Sequence, residues 1–298
     1  TIFRQVYFMQ QQQLGFNMDQ VMVSYSPMTM NMRPDKEQKL QTFKEEMKRI
    51  PGVIDFTTAA SVPGRELENH DDNIRRTDRE KTGISYWLTN IDQNYFEFFS
   101  IKILAGNNFR YDDNYNTGDV VISRLASQKL GFNSPEKATG SFVQVKGRPY
   151  RVAGVVEDYH HHSLREAVRP VIFFKSLKWN KEVGFYCVKM SPRDLSGTIR
   201  SVKAAWDKVY PKEPYIFSFL DDDFNAQYKA DVQFGNVYMG FSLLAILIAS
   251  MGLFAMARFL AENRVKEIGI RKVNGAMIGE VLVLLNRDFI KSLFRRTN

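Results

Sequence analysis

The sequence predicts an α+β fold, a soluble body on helical stalks with one transmembrane helix, from three observations. Short alternating runs rich in Val, Ile, Phe and Tyr recur between segments whose apolar residues fall at helical spacing. Val232 to Ala257 contains twenty-six residues without a charged side chain, and basic residues concentrate directly after it. A helix needs about 20 apolar residues to cross the roughly 30 Å hydrocarbon core of a bilayer, and globular helices seldom stay uncharged for that long. With 298 residues, 44% apolar and 25% charged, and a mean hydropathy of −0.32, the chain fits one such helix attached to a water-soluble body.

The charge distribution gives the span a direction. From Arg258 onward nine Lys/Arg stand against four Asp/Glu, a surplus that takes up five of the formal +8. A basic segment directly after an apolar span is the positive-inside pattern, so the C-terminal side is expected in the cytoplasm and residues 1–231 outside it. The remaining charge is too thinly spread to suggest a nucleic-acid partner. Residues 1–30 show no basic stretch leading into a continuous apolar core. The expectation is therefore an excerpt of a longer membrane protein with another helix upstream. Cys187, the single cysteine, cannot form an internal disulfide and reads as a small core residue within FYCVKM.

Taken in order, Ile2, Phe3, Val6, Tyr7 and Met9 recur at helical spacing ahead of four glutamines, as in a stalk. VMVSY from Val21 reads as a strand. Pro34 opens a helix to about Arg49 with Leu40, Phe43 and Met47 on one face, Pro51-Gly52 ends it, and VIDFTTAA follows as a strand, a β-α-β unit. Residues 63–83 carry dense charge of both signs and read as a solvated loop. ISYWLTNID is a strand. Tyr95, Phe96, Phe98, Phe99, Ile101 and Ile103 then supply core. From Val120 come VVIS, a helix SRLASQKLGF closed by Gly131, SFVQVKG, a Gly-Arg-Pro turn and YRVAGVVEDY, a β-rich module inserted into the first one. VIFF and FYCVKM resume the strands. A helix from about Asp194 to Val209 carries Leu195, Ile199, Val202 and Trp206 on one side, and YIFSFL is the last strand. Asp221, Asp222 and Asp223 suit the first turn of a helix, where negative charge meets the macrodipole. A calcium loop would require a glycine turn and a distal Glu, which do not follow.

Catalytic signatures are sparse. No G-x-x-x-x-G-K-[ST] occurs, so the chain is not itself a P-loop ATPase, and G-x-S-x-G, H-E-x-x-H and C-x-x-C are absent as well. No enzyme activity and no cofactor are expected. His160, His161 and His162, preceded by Glu157 and Asp158, form the one concentration of metal-capable side chains. On a strand they would point to alternate faces, so at most two could share an ion, and a surface or junction run is favoured over a metal site. His70 lies in the charged loop. After the span, Arg264, Glu267 and Arg271 at spacings of three and four, beside Val265 and Ile268, make a short amphipathic helix. It reads either as a juxtamembrane anchor on lipid headgroups or as a docking helix for a cytoplasmic subunit.

The run GLFAMARFLAENRVKEIGIRKVNGA resembles the corresponding stretch of MacB/FtsX-type ABC transporter permeases, in particular the second half of the long permeases of Bacteroidetes-like bacteria. LGFNMDQVMV, YFEFFSIKILAGNNF, ISRLASQKLGF, GVVEDYHHHSLRE and FSFLDDDFNAQY resemble that family's extracytoplasmic domain, so the likeness covers nearly the whole chain. It implies a stalk helix at 1–20, a porter-like subdomain at 21–105 and 169–220, an inserted β-rich subdomain at 106–168 and a second stalk at 221–231. The membrane helix is then 232–257, and 258–298 hold a cytoplasmic coupling segment and the start of another membrane helix. Lys266, Glu267, Ile268, Gly269, Ile270, Arg271, Lys272 and Gly275 would form the coupling helix. The implied partners are a cytoplasmic ABC ATPase, a second permease in a homodimer or heterodimer, membrane lipids and a periplasmic adaptor, in a bacterial inner membrane. The alternative is a single-span binding or sensor protein with an extracytoplasmic ligand-binding domain. The transported substrate is not legible.

Overall fold

A computed structural model describes residues 15–28, 34–78, 83–109, 118–162, 166–175, 184–263, 265–275 and 279. The expected N-terminal stalk positions up to residue 14, and all of the expected start of a further membrane helix after residue 275 except Gly279, lie outside them. The chain divides into two compact units, Thr1–Ala230 and Asp231–Asn298.

The first unit is built from strands, and those at its centre are buried on both faces. β1 (Val21–Tyr25), β2 (Val53–Ala59), β11 (Phe185–Met190) and β12 (Phe217–Phe219) pair in the order β12-β1-β11-β2, every neighbour antiparallel. Helix α1 (Lys36–Arg49) follows β1, so the expected β-α-β unit forms, with β11 lying between its two parallel strands. Helix α5 (Leu195–Val209) connects β11 to β12 in the same way, which completes a split β-α-β, ferredoxin-like arrangement. Strand alternation decides which residues meet the helices. Met22, Phe56, Tyr186 and Val188 point to one face and pack with Leu40, Phe43 and Met47 of α1 and Val202 and Trp206 of α5. Val21, Val23, Ala59 and Cys187 point to the other. The apolar face expected for α1 is the one buried, whereas on α5 Val202 and Trp206 are buried and Leu195 and Ile199 only partly so. Cys187 is a free, fully buried thiol, held protonated because burial disfavours its thiolate.

Between β2 and β11 the chain builds a second set of strands. These are β5 (Tyr86–Ile91), β6 (Ile103–Gly106), β7 (Asp119–Ser123), β8 (Phe142–Val145), β9 (Arg148–Val156) and β10 (Val171–Lys175), in the path β5-β10-β7-β9-β8 with β6 also on β9. Short helices α2 (Tyr95–Phe98), α3 (Arg124–Lys129) and α4 (Pro135–Ala138) accompany them. The junction of the two sets is narrow: β2 meets β5 through the single pair Ala59 and Ile91. Tyr95, Phe96, Phe98 and Phe99 are all buried beneath it, as their density suggested. Ile122, Val143, Val152, Val155 and Ile172 form a separate core with α3 and α4.

Three expectations are corrected. The charged stretch 63–83 is not simply a solvated loop, because it contributes β3 (His70–Asp71), paired with β5, and β4 (Arg75–Arg76), paired with β8. Its isolated apolar residues Leu67 and Ile74 are buried, and one apolar side chain among many charges has no period to reveal it. The turn between β8 and β9 is Lys146-Gly147, both at positive φ, and not Gly-Arg-Pro. Two consecutive left-handed residues suit a two-residue hairpin, and Pro149 already lies in β9 opposite Gln144. The three histidines follow the end of β9 and do not lie on a strand.

Candidate membrane span and coupling helix

Helix α6 (Leu220–Asn263) begins directly after β12 and is 44 residues long. Its first turn belongs to the body. Leu220 and Phe224, four residues apart and so on one helix face, are both buried, and Phe224 meets Phe16 edge-to-face at 6.0 Å. Asp221, Asp222 and Asp223 occupy the first turn, as charge patterning suggested. Asp223 Oδ2 accepts hydrogen bonds from Ser218 Oγ at 2.6 Å and from an Arg65 guanidinium nitrogen at 2.7 Å.

Further along, Gln233–Phe259 forms a 27-residue stretch that contains an 18-residue window of mean hydropathy 2.1, none of that window buried against protein among the described residues. Phe241, Ile246, Leu247, Ile248 and Phe254 are each more than half exposed. The two serine hydroxyls within the stretch are satisfied inside the helix: Ser242 Oγ donates to the Tyr238 carbonyl and Ser250 Oγ to that of Ile246. That is what a hydrocarbon environment demands of any polar group. Charge returns at the far end with the pair Arg258 and Glu262 at 2.8 Å.

Helix α7 (Val265–Val273) carries seven of the eight expected coupling residues, Lys266, Glu267, Ile268, Gly269, Ile270, Arg271 and Lys272. Asn274 N–H continues the ladder to the Ile270 carbonyl, and Gly275 closes it at φ +88, where a glycine C-cap is favoured. Val265, Ile270 and Val273 are exposed, as are Lys266 and Gly269. The side chains of Glu267, Ile268, Arg271 and Lys272, and the whole of Arg264, lie outside the described residues.

The histidines separate. His161 is buried, with Nε2 3.0 Å from Ser61 Oγ and Nδ1 3.0 Å from the Tyr159 hydroxyl. Ser61 Oγ donates to the Glu66 carbonyl, so Nε2–H donates to Ser61 and Nδ1 accepts from Tyr159. Tyr159 is then free to accept from the Tyr95 hydroxyl at 3.4 Å. Burial pushes the His161 pKa down to about 3, with His162 and Arg169 adding to the shift, so the ring is neutral. His162 Nδ1 lies 2.9 Å from a Glu166 oxygen. Burial also lowers the His160 pKa. Asp158 instead holds the start of α3, accepting from Leu125 N–H at 2.7 Å and Arg124 Nε at 3.1 Å. Among the described residues no three His, Cys, Asp or Glu gather as a metal ion would require.

Arg65 escaped sequence reasoning altogether. It sits in the charge-dense stretch, and nothing periodic distinguishes it from its neighbours.

The MacB-like periplasmic core domain family matches residues 4–194. No curated protein sequence matches the chain. Among solved structures, the periplasmic region of MacB from Actinobacillus actinomycetemcomitans is similar at 17% identity and a TM-score of 0.48, over 72% of this chain and 95% of that one. The extracellular domain of the noncanonic ABC-type transporter YknZ from Gram-positive bacteria is similar at 16% identity and 0.46, over 66% and 98%. With the family match spanning well over half of its length, the chain belongs to the MacB-like periplasmic core domain family.

Proposed function

We propose that the chain is a permease segment that carries ATP-driven motion from the cytoplasm, through α6, to an extracytoplasmic body. The observation that supports this most is α6 itself. One helix of 44 residues, about 66 Å at 1.5 Å per residue, is seated in the body at Leu220 and Phe224 and then presents an exposed, uncharged stretch ahead of the basic α7. In this reading α6 crosses a bacterial inner membrane and α7 docks on a cytoplasmic ABC ATPase through Lys266, Glu267, Ile268, Gly269, Ile270, Arg271, Lys272 and Gly275. The complete permease is multi-pass and works as a homodimer or heterodimer, with a periplasmic adaptor on its outer side. The division into stalks, a porter-like subdomain and an inserted β-rich subdomain belongs to the same reading. Chemistry is the ATPase's, since the chain has no phosphate-binding loop. A ligand-driven change requires contacts that differ between two states, and here those contacts lie at α7.

The test is charge reversal at Glu267 or Arg271 in the full-length protein. Glu267→Lys is expected to abolish transport-coupled stimulation of the ATPase while the body stays folded. Unchanged coupling would overturn the assignment of α7. If no ATPase co-purifies in mild detergent, the reading as a single-span binding or sensor protein replaces it.

A further inference from the structure

We propose that Arg65 is a register latch that couples the axial position and rotation of α6 to the sheet of the body. The inference deepens the transmission reading and rests on it. Its guanidinium gathers four elements at one point. One nitrogen donates to the Tyr25 hydroxyl at the end of β1 at 2.9 Å, and another donates to Ser218 Oγ in β12 at 3.2 Å and to Asp223 Oδ2 in the first turn of α6 at 2.7 Å. The guanidinium carbon also lies 5.4 Å from the ring centre of Tyr25 and 5.7 Å from that of Phe185 at the start of β11. Its backbone is held in turn. Arg65 N–H donates to the Val62 carbonyl, and the neighbouring Gly64 N–H donates at 2.7 Å to the carbonyl of His161, whose ring is fixed by Ser61 and Tyr159.

The two kinds of contact at the foot of α6 respond differently to motion. Leu220 and Phe224 are apolar and non-directional, so they tolerate a slide or a small turn while staying buried. The Asp223 contacts are directional and charge-assisted, and they are lost once donor and acceptor separate by about 1 Å. A helix advances about 1.5 Å and 100° per residue. A shift of even one residue therefore either breaks the latch or drags the Arg65 turn, and with it β1, β12 and the His161 segment. The pair is accessible enough to exchange partners with water: the Arg65 and Asp223 side chains are 28% and 20% exposed. A contact of this kind can be remade on each cycle, whereas opening an apolar core cannot be repeated so cheaply.

The experiment is hydrogen exchange on the full-length protein in detergent with its ATPase, with and without ATP, following peptides over residues 218–230 and 61–67. Asp223→Asn keeps the shape and removes the charge, and Arg65→Lys keeps the charge and removes the fork. Both are expected to raise exchange in both peptides by about tenfold without lowering the thermal midpoint of the body. The exchange of the swapped pair Arg65→Asp with Asp223→Arg is expected to return toward that of the unaltered protein. Unaltered exchange in both single variants would overturn the latch. If the variants open both peptides but ATP changes neither peptide in the unaltered protein, the latch stands as a static tie and the transmission reading fails. If ATP opens α6 alone and leaves residues 61–67 unchanged, transmission stands and the coupling through Arg65 is overturned.

Discussion

The body and the apolar stretch of α6 use the same residue types to opposite ends. Phe43 is 1% exposed and meets the rings of Phe56, Tyr186, Trp206 and Tyr210 at 5.6–5.7 Å. Phe254 is 71% exposed. The three clusters of the body consume their apolar surface internally, while the apolar window of α6 leaves its own uncovered by the described protein. Burial of apolar surface drives folding only where another apolar surface covers it. The body is therefore stabilised by its own packing, and the helix by a medium or partner that is itself apolar.

Substitutions that act on one region and spare the other test this contrast. The largest expected effect is in the body: Phe43→Ala removes a ring contacted by four others and should cost about 3–5 kcal/mol, read from urea unfolding by tryptophan fluorescence. Ile246→Arg, near the middle of the apolar stretch, should cost about 2.5–3.5 kcal/mol of membrane insertion. It would appear as loss of carbonate-resistant membrane association, with the body's unfolding midpoint unchanged.

A third test concerns acid. His161 is neutral in the folded body with its pKa lowered to about 3, against 6.5 when unfolded. The unfolded state therefore binds the extra proton, so the contribution of His161 is fully present above pH 6.5 and lost progressively as pH falls toward 3. The slope is about 1.4 kcal/mol per pH unit within that window. Urea midpoints at pH 7 and 4.5 should differ by less in His161→Asn than in the unaltered chain. Tyr159→Phe, which leaves His161 Nδ1 without its donor, should cost about 1–3 kcal/mol at pH 7 by the same assay. The smallest effect is expected for Phe254→Ala, within about 0.5 kcal/mol on the body's unfolding.

What the sequence displayed and what it hid divide along the same physical line. Local period was legible: Leu40, Phe43 and Met47 on α1, Val202 and Trp206 on α5, and the uncharged run within α6 each carry their own spacing. Partnership between distant segments was not. β6 is a strand because Ile103 pairs with Val156, more than fifty residues away, and β11 enters between β1 and β2 after the whole second strand set has been made. Arg65 and the path Ser61–His161–Tyr159–Tyr95 depend on four separate segments meeting, and nothing in the text of any one of them marks the meeting. The histidine run drew attention as a possible metal set, yet its buried member is a core hydrogen-bonding residue and its acidic neighbour Asp158 holds a helix start.

The most direct test is sidedness. Cys187 is the only cysteine in this sequence and is fully buried, so with any cysteines elsewhere in the full-length protein replaced by serine, an introduced thiol can be read against a silent background. In the full-length protein in intact cells, a membrane-impermeant maleimide should label Ser201→Cys, on the exposed face of α5. It should label Lys266→Cys, on α7, only after the membrane that α6 is proposed to cross is opened. Labelling of both positions from the same side would contradict a membrane-crossing α6 and the transmission it is proposed to perform.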